Sequence, residues 1–243
     1  IWERGWSEKN AGNISAWLPR TRLKMSREVN SLEIRFPAIA GRTFLVTGTG
    51  RRMRDIARSP LENVLFIRMN DAGNGYSVWL EGGENLRPTS ELHTHLGIHN
   101  MIAERGSGEQ AVLHTHATEL IALSQCKAIA GKDELNSVLW NMHPENMIFL
   151  PGGAGFVPYM LPGSREIAEA TISEFRQHDL VVWQKHGVWS VGSSVQDAFD
   201  YIDIACKSAG IWFMCKAAGI EPEGLTADQT EELRNLSQKF RLT

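Results

Sequence analysis

The sequence predicts a single α/β domain whose sheet is at least partly antiparallel. Three observations carry this. Apolar runs of strand length are interspersed with helix-length amphipathic stretches over 243 residues, enough chain for a substantial core. Two of the runs, Asn63 to Met69 and Tyr76 to Leu80, flank Asn70-Asp71-Ala72-Gly73-Asn74-Gly75. That Gly- and Asn-rich connection closes a β-hairpin and counts against a purely parallel doubly wound sheet. No Pro/Gly/Ser linker, internal repeat or low-complexity segment divides the chain, so one domain is expected over residues 1–243.

Taken in order, Ile1 to Glu8 reads as the end of a helix, with Trp2 and Trp6 four apart on one face. It stops at Asn10-Ala11-Gly12-Asn13, where glycine and asparagine tolerate left-handed backbone angles. Ile14 to Leu18 is a short strand. Pro19 to Arg42 is basic and irregular and reads as a solvated excursion. Thr43 to Thr47 is a strand followed by Gly48-Thr49-Gly50, a turn able to wrap amides around a phosphate but lacking a full dinucleotide or P-loop motif. After the hairpin, Pro88-Thr89-Ser90-Glu91 opens a helix to about Arg105, with Thr89 or Ser90 as N-cap. Glu91, His95 and His99 recur every four residues and share one of its faces, either solvated or lining a site. Lys132 to Met142 is helical, Met147 to Leu150 a strand and Pro151 to Gly155 a loop. Gly163 to His178 is a helix capped by Ser164. Leu180 to Trp183 and Val188 to Val191 are strands around Gln184-Lys185-His186-Gly187, and Val195 to Ala218 and Ala227 to Arg241 are helices.

The chemistry gathers on Ala111-Val112-Leu113-His114-Thr115-His116-Ala117-Thr118-Glu119-Leu120. Residues two apart on an extended backbone face the same way, so both imidazoles project together where a strand gives way to a helix. They supply two-thirds of a three-ligand metal site with an open position. His186 is the best-placed third ligand, because it also ends an apolar strand and Gly187 permits close backbone approach. Zinc suits three imidazoles, although such ligands accept other divalent ions. The competing pair His93 and His95 lies on a helix, where its side chains point about 200° apart and cannot share an ion.

Twenty-five basic against 28 acidic residues give a formal charge of −3, so neither nucleic acid nor an anionic membrane is expected as a partner. No apolar run reaches the length of a membrane-spanning helix. Cys126, Cys206 and Cys215 form no metal-binding spacing and read as reduced thiols of a cytoplasmic protein. The chain starts at Ile1 and reads as lacking a leading N-terminal segment.

Four stretches, taken in order, carry a resemblance. Asn10-Ala11-Gly12-Asn13-Ile14-Ser15, Val46-Thr47-Gly48-Thr49-Gly50, Thr89-Ser90-Glu91-Leu92 and His114-Thr115-His116-Ala117-Thr118 resemble the class II aldolase/epimerase family. Leu139-Trp140, Glu145, Val157 to Gly163 and Val182 to Val188 are most similar to the branch acting on L-rhamnulose 1-phosphate. The resemblance implies a central, largely antiparallel (mixed) sheet covered by helices, in a homotetramer with sites between neighbours. It implies zinc on His114, His116 and His186, with Glu91 as catalytic acid/base. Asn10, Asn13, Thr49, Thr89 and Ser90 would surround a sugar-phosphate substrate's phosphate, and Glu145 would reach across a subunit boundary as a second carboxylate. The implied reaction breaks the C3–C4 bond of a ketose 1-phosphate, giving dihydroxyacetone phosphate and L-lactaldehyde. Glu91 separates this branch from the epimerases, which resemble it with an aspartate, while Glu145 and Leu161-Pro162-Gly163 favour rhamnulose over fuculose phosphate. A non-catalytic zinc or phosphosugar-binding protein is the rival from another class. A closed structural site would need a fourth ligand, and no further histidine or cysteine falls at a matching position.

Overall fold

In the computed structural model, which describes residues 1–79 and 86–240, the apolar runs join one nine-stranded sheet. The strands are β1 Asn13–Trp17, β2 Asn30–Ser31, β3 Thr43–Thr47, β4 Val64–Met69, β5 Gly75–Val78, β6 Ala111–Thr115, β7 Ala154–Val157, β8 Leu180–Trp183 and β9 Gly187–Gly192. Their spatial order is β2-β5-β4-β3-β1-β6-β9-β8-β7, and only the β7–β8 pair is parallel. This is the mixed, largely antiparallel single-domain α/β fold that the resemblance implied. The helices are α1 Met53–Ile56, α2 Pro60–Asn63, α3 Leu92–Arg105, α4 Thr118–Gln125, α5 Lys132–Met142, α6 Pro144–Phe149, α7 Arg165–Glu174, α8 Val195–Ala217 and α9 Ala227–Phe240.

Strand alternation sends neighbouring residues to opposite faces, and two cores result. Leu113, Val182 and Val188 pack with α4, α5 and α8 through residues such as Leu120, Leu135 and Ile202. Val112, Val181, Trp183 and Trp189 pack on the other face against α3 and α7. On that second face Phe44, Val46 and Ile67 continue the core towards Leu92 and Leu96 of α3. His114 is two residues from Val112, and therefore sits on the α3 face. Among the described residues no helix is long and apolar enough to cross a membrane. The three cysteines are free thiols, Cys206 buried and the others partly so.

Several local expectations are corrected. Ile1 to Glu8 is not a helix: Gly5 takes φ 74° within a turn, which buries Trp6 and leaves Trp2 exposed, so the two do not share a face. Pro19 to Arg42 is irregular as expected, yet Phe36 and Ile39 are buried, because a 3-10 turn at Pro37–Ile39 pins them under α3. Met147 to Leu150 belongs to α6 rather than a strand. Extended His143 followed by Pro144 in the first turn starts that helix. The strand is instead β7, whose first residues Ala154 and Gly155 carry the composition of the glycine-rich loop before it. α3 begins one residue late, with Glu91 itself at the N-cap and no side-chain cap bond. Ser164 caps α7 as expected, accepting from the Ile167 amide at 3.3 Å. Leu80 and Arg241, the predicted ends of two elements, lie outside the described residues.

Candidate active site

Pairing of β1 with β6 sets Asn13 opposite His114, and pairing of β6 with β9 sets His114 opposite Trp189. Trp189 stacks on the His114 ring with centroids 4.5 Å apart. His116 follows the end of β6, and His186 stands in the β8–β9 turn, which Lys185 enters at φ 66°. The backbones must approach closely for the imidazoles to meet. A Cβ on Gly187 would sit 2.6 Å from the Thr115 carbonyl and 3.1 Å from the His114 ring, and one on Gly12 would sit 2.9 Å from the His114 carbonyl. Both positions therefore require glycine.

The three rings converge, with centroid separations of 5.0–5.4 Å, and one ligand nitrogen from each lies within 4.8 Å of the others. Burial, then the neighbouring imidazoles, holds the His114 pKa well below the ordinary histidine value, and burial then His116 lowers that of His186. Neutral imidazole is the form that binds a metal. His114 donates from Nδ1 to the Val188 carbonyl at 3.0 Å, which leaves its Nε2 lone pair for a ligand. His116 holds Glu8 Oε1 at 2.6 Å through Nδ1, the carboxylate–histidine arrangement that orients metal ligands. Among the described residues the buried Nδ1 of His186 has no hydrogen-bond partner. The donor set thus fits a divalent metal with an open coordination position.

Glu91 stands beside this cluster, Oε2 lying 3.8 Å from His114 Nε2. Burial raises its pKa, against which the Asn13 amide, donating at 2.6 Å, acts to lower it. Asn10, Asn13, Thr49, Thr89, Ser90 and Glu91 line one cleft of about 170 Å³ together with all three histidines. All five predicted phosphate neighbours therefore meet the predicted metal ligands. The Thr49 and Thr89 amides are already bonded to the Arg87 and Thr47 carbonyls at 2.8 and 2.9 Å, so an anion would meet these residues through their hydroxyls. Glu145 does not line this cleft in its own chain. It sits half-exposed in the first turn of α6, 2.9 Å from His143 Nε2.

Two features escaped the sequence reading. In sequence Glu8 reads only as the end of a helix; the structure brings it to His116 just after the left-handed turn at Gly5. The second is the fate of His95 and His99, which are buried rather than solvated and bond Ser15 Oγ at 2.7 and 2.8 Å. Asn13-x-Ser15 opposite Glu91-x-x-x-His95-x-x-x-His99 was the available signal, a strand period facing a helix period. His93 is exposed while His95 is buried, so the two side chains diverge on α3 as expected.

Burial, then Arg42, lowers the His99 pKa to about 3, and burial, then His99, lowers His95 well below the ordinary value. The unfolded chain takes these protons near pH 6.5 while the folded chain does not, so their stabilising contribution is full above about 6.5 and is lost as pH falls. His99 alone should cost about 1.4 kcal/mol per pH unit below that value. Denaturant midpoints between pH 6.5 and 4 should show this slope, reduced in His99→Phe; equal slopes would mean that the ring protonates freely in the fold. A second expectation concerns Glu8→Gln, which should weaken divalent-metal affinity about 10–100-fold with the fold intact. Calorimetric titration of the metal-free protein checks it, and unchanged affinity would make Glu8 a surface residue only.

A family model described as Class II Aldolase and Adducin N-terminal domain matches residues 1–213. A rhamnulose-1-phosphate aldolase from Bacteroides thetaiotaomicron is 41% identical over 239 residues, spanning 96% of this chain and 88% of that protein. Another, from Mannheimia succiniciproducens, is 34% identical over 254 residues, spanning 100% of this chain and 91% of that protein. The crystal structure of a sugar-phosphate aldolase from Thermotoga maritima superposes with a TM-score of 0.79 at 32% identity, over 91% of this chain and 92% of that one. These likenesses fall on the chain whose three imidazoles and buried carboxylate share one cleft, and they show that it belongs to the class II aldolase family.

Proposed function

We propose that the protein is a zinc-dependent aldolase that reversibly cleaves L-rhamnulose 1-phosphate to dihydroxyacetone phosphate and L-lactaldehyde. The observation that carries this reading is the convergence of His114, His116, His186 and Glu91 on the cleft lined by Asn10, Asn13, Thr49, Thr89 and Ser90. The names of the relatives supply the substrate. A zinc ion held by the three histidines supplies Lewis acidity for the negative charge that develops on the ketose half.

The chain's own groups do the rest. The phosphate rests among the Asn10 and Asn13 amides and the Thr49, Thr89 and Ser90 hydroxyls, anchoring the substrate with C3 beside Glu91. When the C3–C4 bond breaks, C3 keeps the electron pair and takes a proton from Glu91; in the condensation direction Glu91 removes it. Burial raises the proton affinity of this carboxylate, which improves its match to a carbon acid. Glu145 of a neighbouring protomer in a homotetramer handles the hydroxyl proton on the aldehyde side. The free thiols agree with action in the cytoplasm.

Comparing kcat/KM for L-rhamnulose 1-phosphate, L-fuculose 1-phosphate and L-ribulose 5-phosphate tests the substrate. The first should be preferred. Preference for either of the others would move the protein to another branch, and turnover of none by zinc-loaded protein would make it a binding protein.

A further inference from the structure

Behind Glu91 a row of buried polar side chains crosses from β1 to α3. Asn13 Nδ2 donates to Glu91 Oε2 at 2.6 Å, and Asn13 Oδ1 lies 2.5 Å from His95 Nε2. His95 Nδ1 lies 2.7 Å from Ser15 Oγ, which lies 2.8 Å from His99 Nε2. Asn13, Ser15, His95 and His99 are 7%, 1%, 0% and 3% exposed, so water does not compete for these bonds. The rings are held from outside the row as well, His95 against Trp189 and His99 against Phe44.

The direction of every bond follows from the Glu91 end. An ionised carboxylate only accepts, so Asn13 turns its NH2 towards Glu91 and its Oδ1 towards His95. That Oδ1 also only accepts, so the His95 proton is on Nε2. A neutral imidazole has one N–H, which makes His95 Nδ1 an acceptor and Ser15 its donor. The hydroxyl has then spent its proton and accepts from His99 Nε2–H. All four bonds point the same way and end on a single carboxylate oxygen. Burial keeps both rings neutral, as the scheme needs.

We infer that Ser15, His95 and His99 are positioning residues. Their one-directional hydrogen-bond chain fixes Asn13, which fastens Glu91 by Oε2 and leaves Oε1 as the oxygen that exchanges the substrate proton. The inference rests on the acid/base role of Glu91 proposed above. An amide in the row passes no proton onward, so the work of the chain is geometric. It stops rotation of a carboxylate that must meet C3 within a fraction of an ångström.

Ser15→Ala and Ser15→Thr, assayed with bound metal measured in parallel, test it. In Ser15→Ala, kcat should fall at least about tenfold and by more than KM rises, with metal content unchanged. Ser15→Thr, which keeps the hydroxyl, should recover most of kcat. Wild-type kcat in Ser15→Ala, or a threonine variant as slow as the alanine one, overturns the inference whatever happens to Tm. Should the alanine variant fail to fold, two-bond 1H–15N spectra of the zinc-loaded wild-type protein decide. His95 and His99 should both appear as Nε2–H tautomers, opposite to the Nδ1–H form of His114, and His95 with its proton on Nδ1 overturns the chain. Full turnover by Glu91→Gln would remove the acid/base reading itself, while leaving the tautomers as stated, so the two failures are distinct.

Discussion

Glu91→Gln is expected to keep its metal and lose about 10²–10⁴-fold in kcat, the range typical of a removed general acid–base group. The replacement is nearly isosteric. Its amide oxygen can still accept from Asn13 Nδ2, which reaches the carboxylate at 2.6 Å, so the side chain has reason to stay in place. Glu91 is also not one of the three converging imidazoles, so metal content should be unchanged. Proton exchange at C3 of dihydroxyacetone phosphate in deuterated water should disappear together with turnover, because both steps use the same carboxylate. Steady-state kinetics with metal analysis checks this. A variant within tenfold of wild-type kcat would assign the proton to another group.

His186→Ala acts on the other half of the site and should abolish turnover by emptying the metal centre. A four-ligand structural zinc site binds with about 10–16 kcal/mol. One ligand of such a set therefore carries on the order of 3 kcal/mol, or more than roughly a hundredfold in affinity. His186 is the suitable ligand to remove because it is only partly buried, in a turn, whereas His114 is packed between Trp183 and Trp189. Truncating His114 would open a cavity in the core as well as the metal site, and the two losses would be confounded. The thermal transition of metal-free His186→Ala should match that of the metal-free parent. Full metal content with normal turnover would exclude His186 as a ligand.

The site was more legible in the sequence than the elements that carry it. His114 and His116 could be aimed from spacing alone, because alternation along a strand is a strong local rule, and Gly187 marked the close approach beside His186. The largely antiparallel sheet came through family likeness; only the hairpin over β4 and β5 was legible from turn chemistry. β7 is hidden in the sequence because Gly152, Gly153 and Gly155 have the composition of a loop and its pairing with β8 is long-range. α6 is hidden because Met147 to Leu150 has the apolar composition of a strand, while its helical start lies upstream at Pro144. The spacing of Trp2 and Trp6 mimics one face of a helix, but the left-handed Gly5 between them breaks it. The row from Glu91 to His99 is half visible in sequence: the helix period of Glu91, His95 and His99 is local, whereas its meeting with the strand period of Asn13 and Ser15 is a contact about 80 residues apart.

The most direct measurement is release of dihydroxyacetone phosphate from L-rhamnulose 1-phosphate by the protein as prepared, after chelation, and after zinc is restored. Turnover that vanishes on chelation and returns with one zinc per chain is the expected result. Undiminished turnover in protein shown by metal analysis to be free of divalent ions would contradict the three-histidine metal centre and the mechanism built on it.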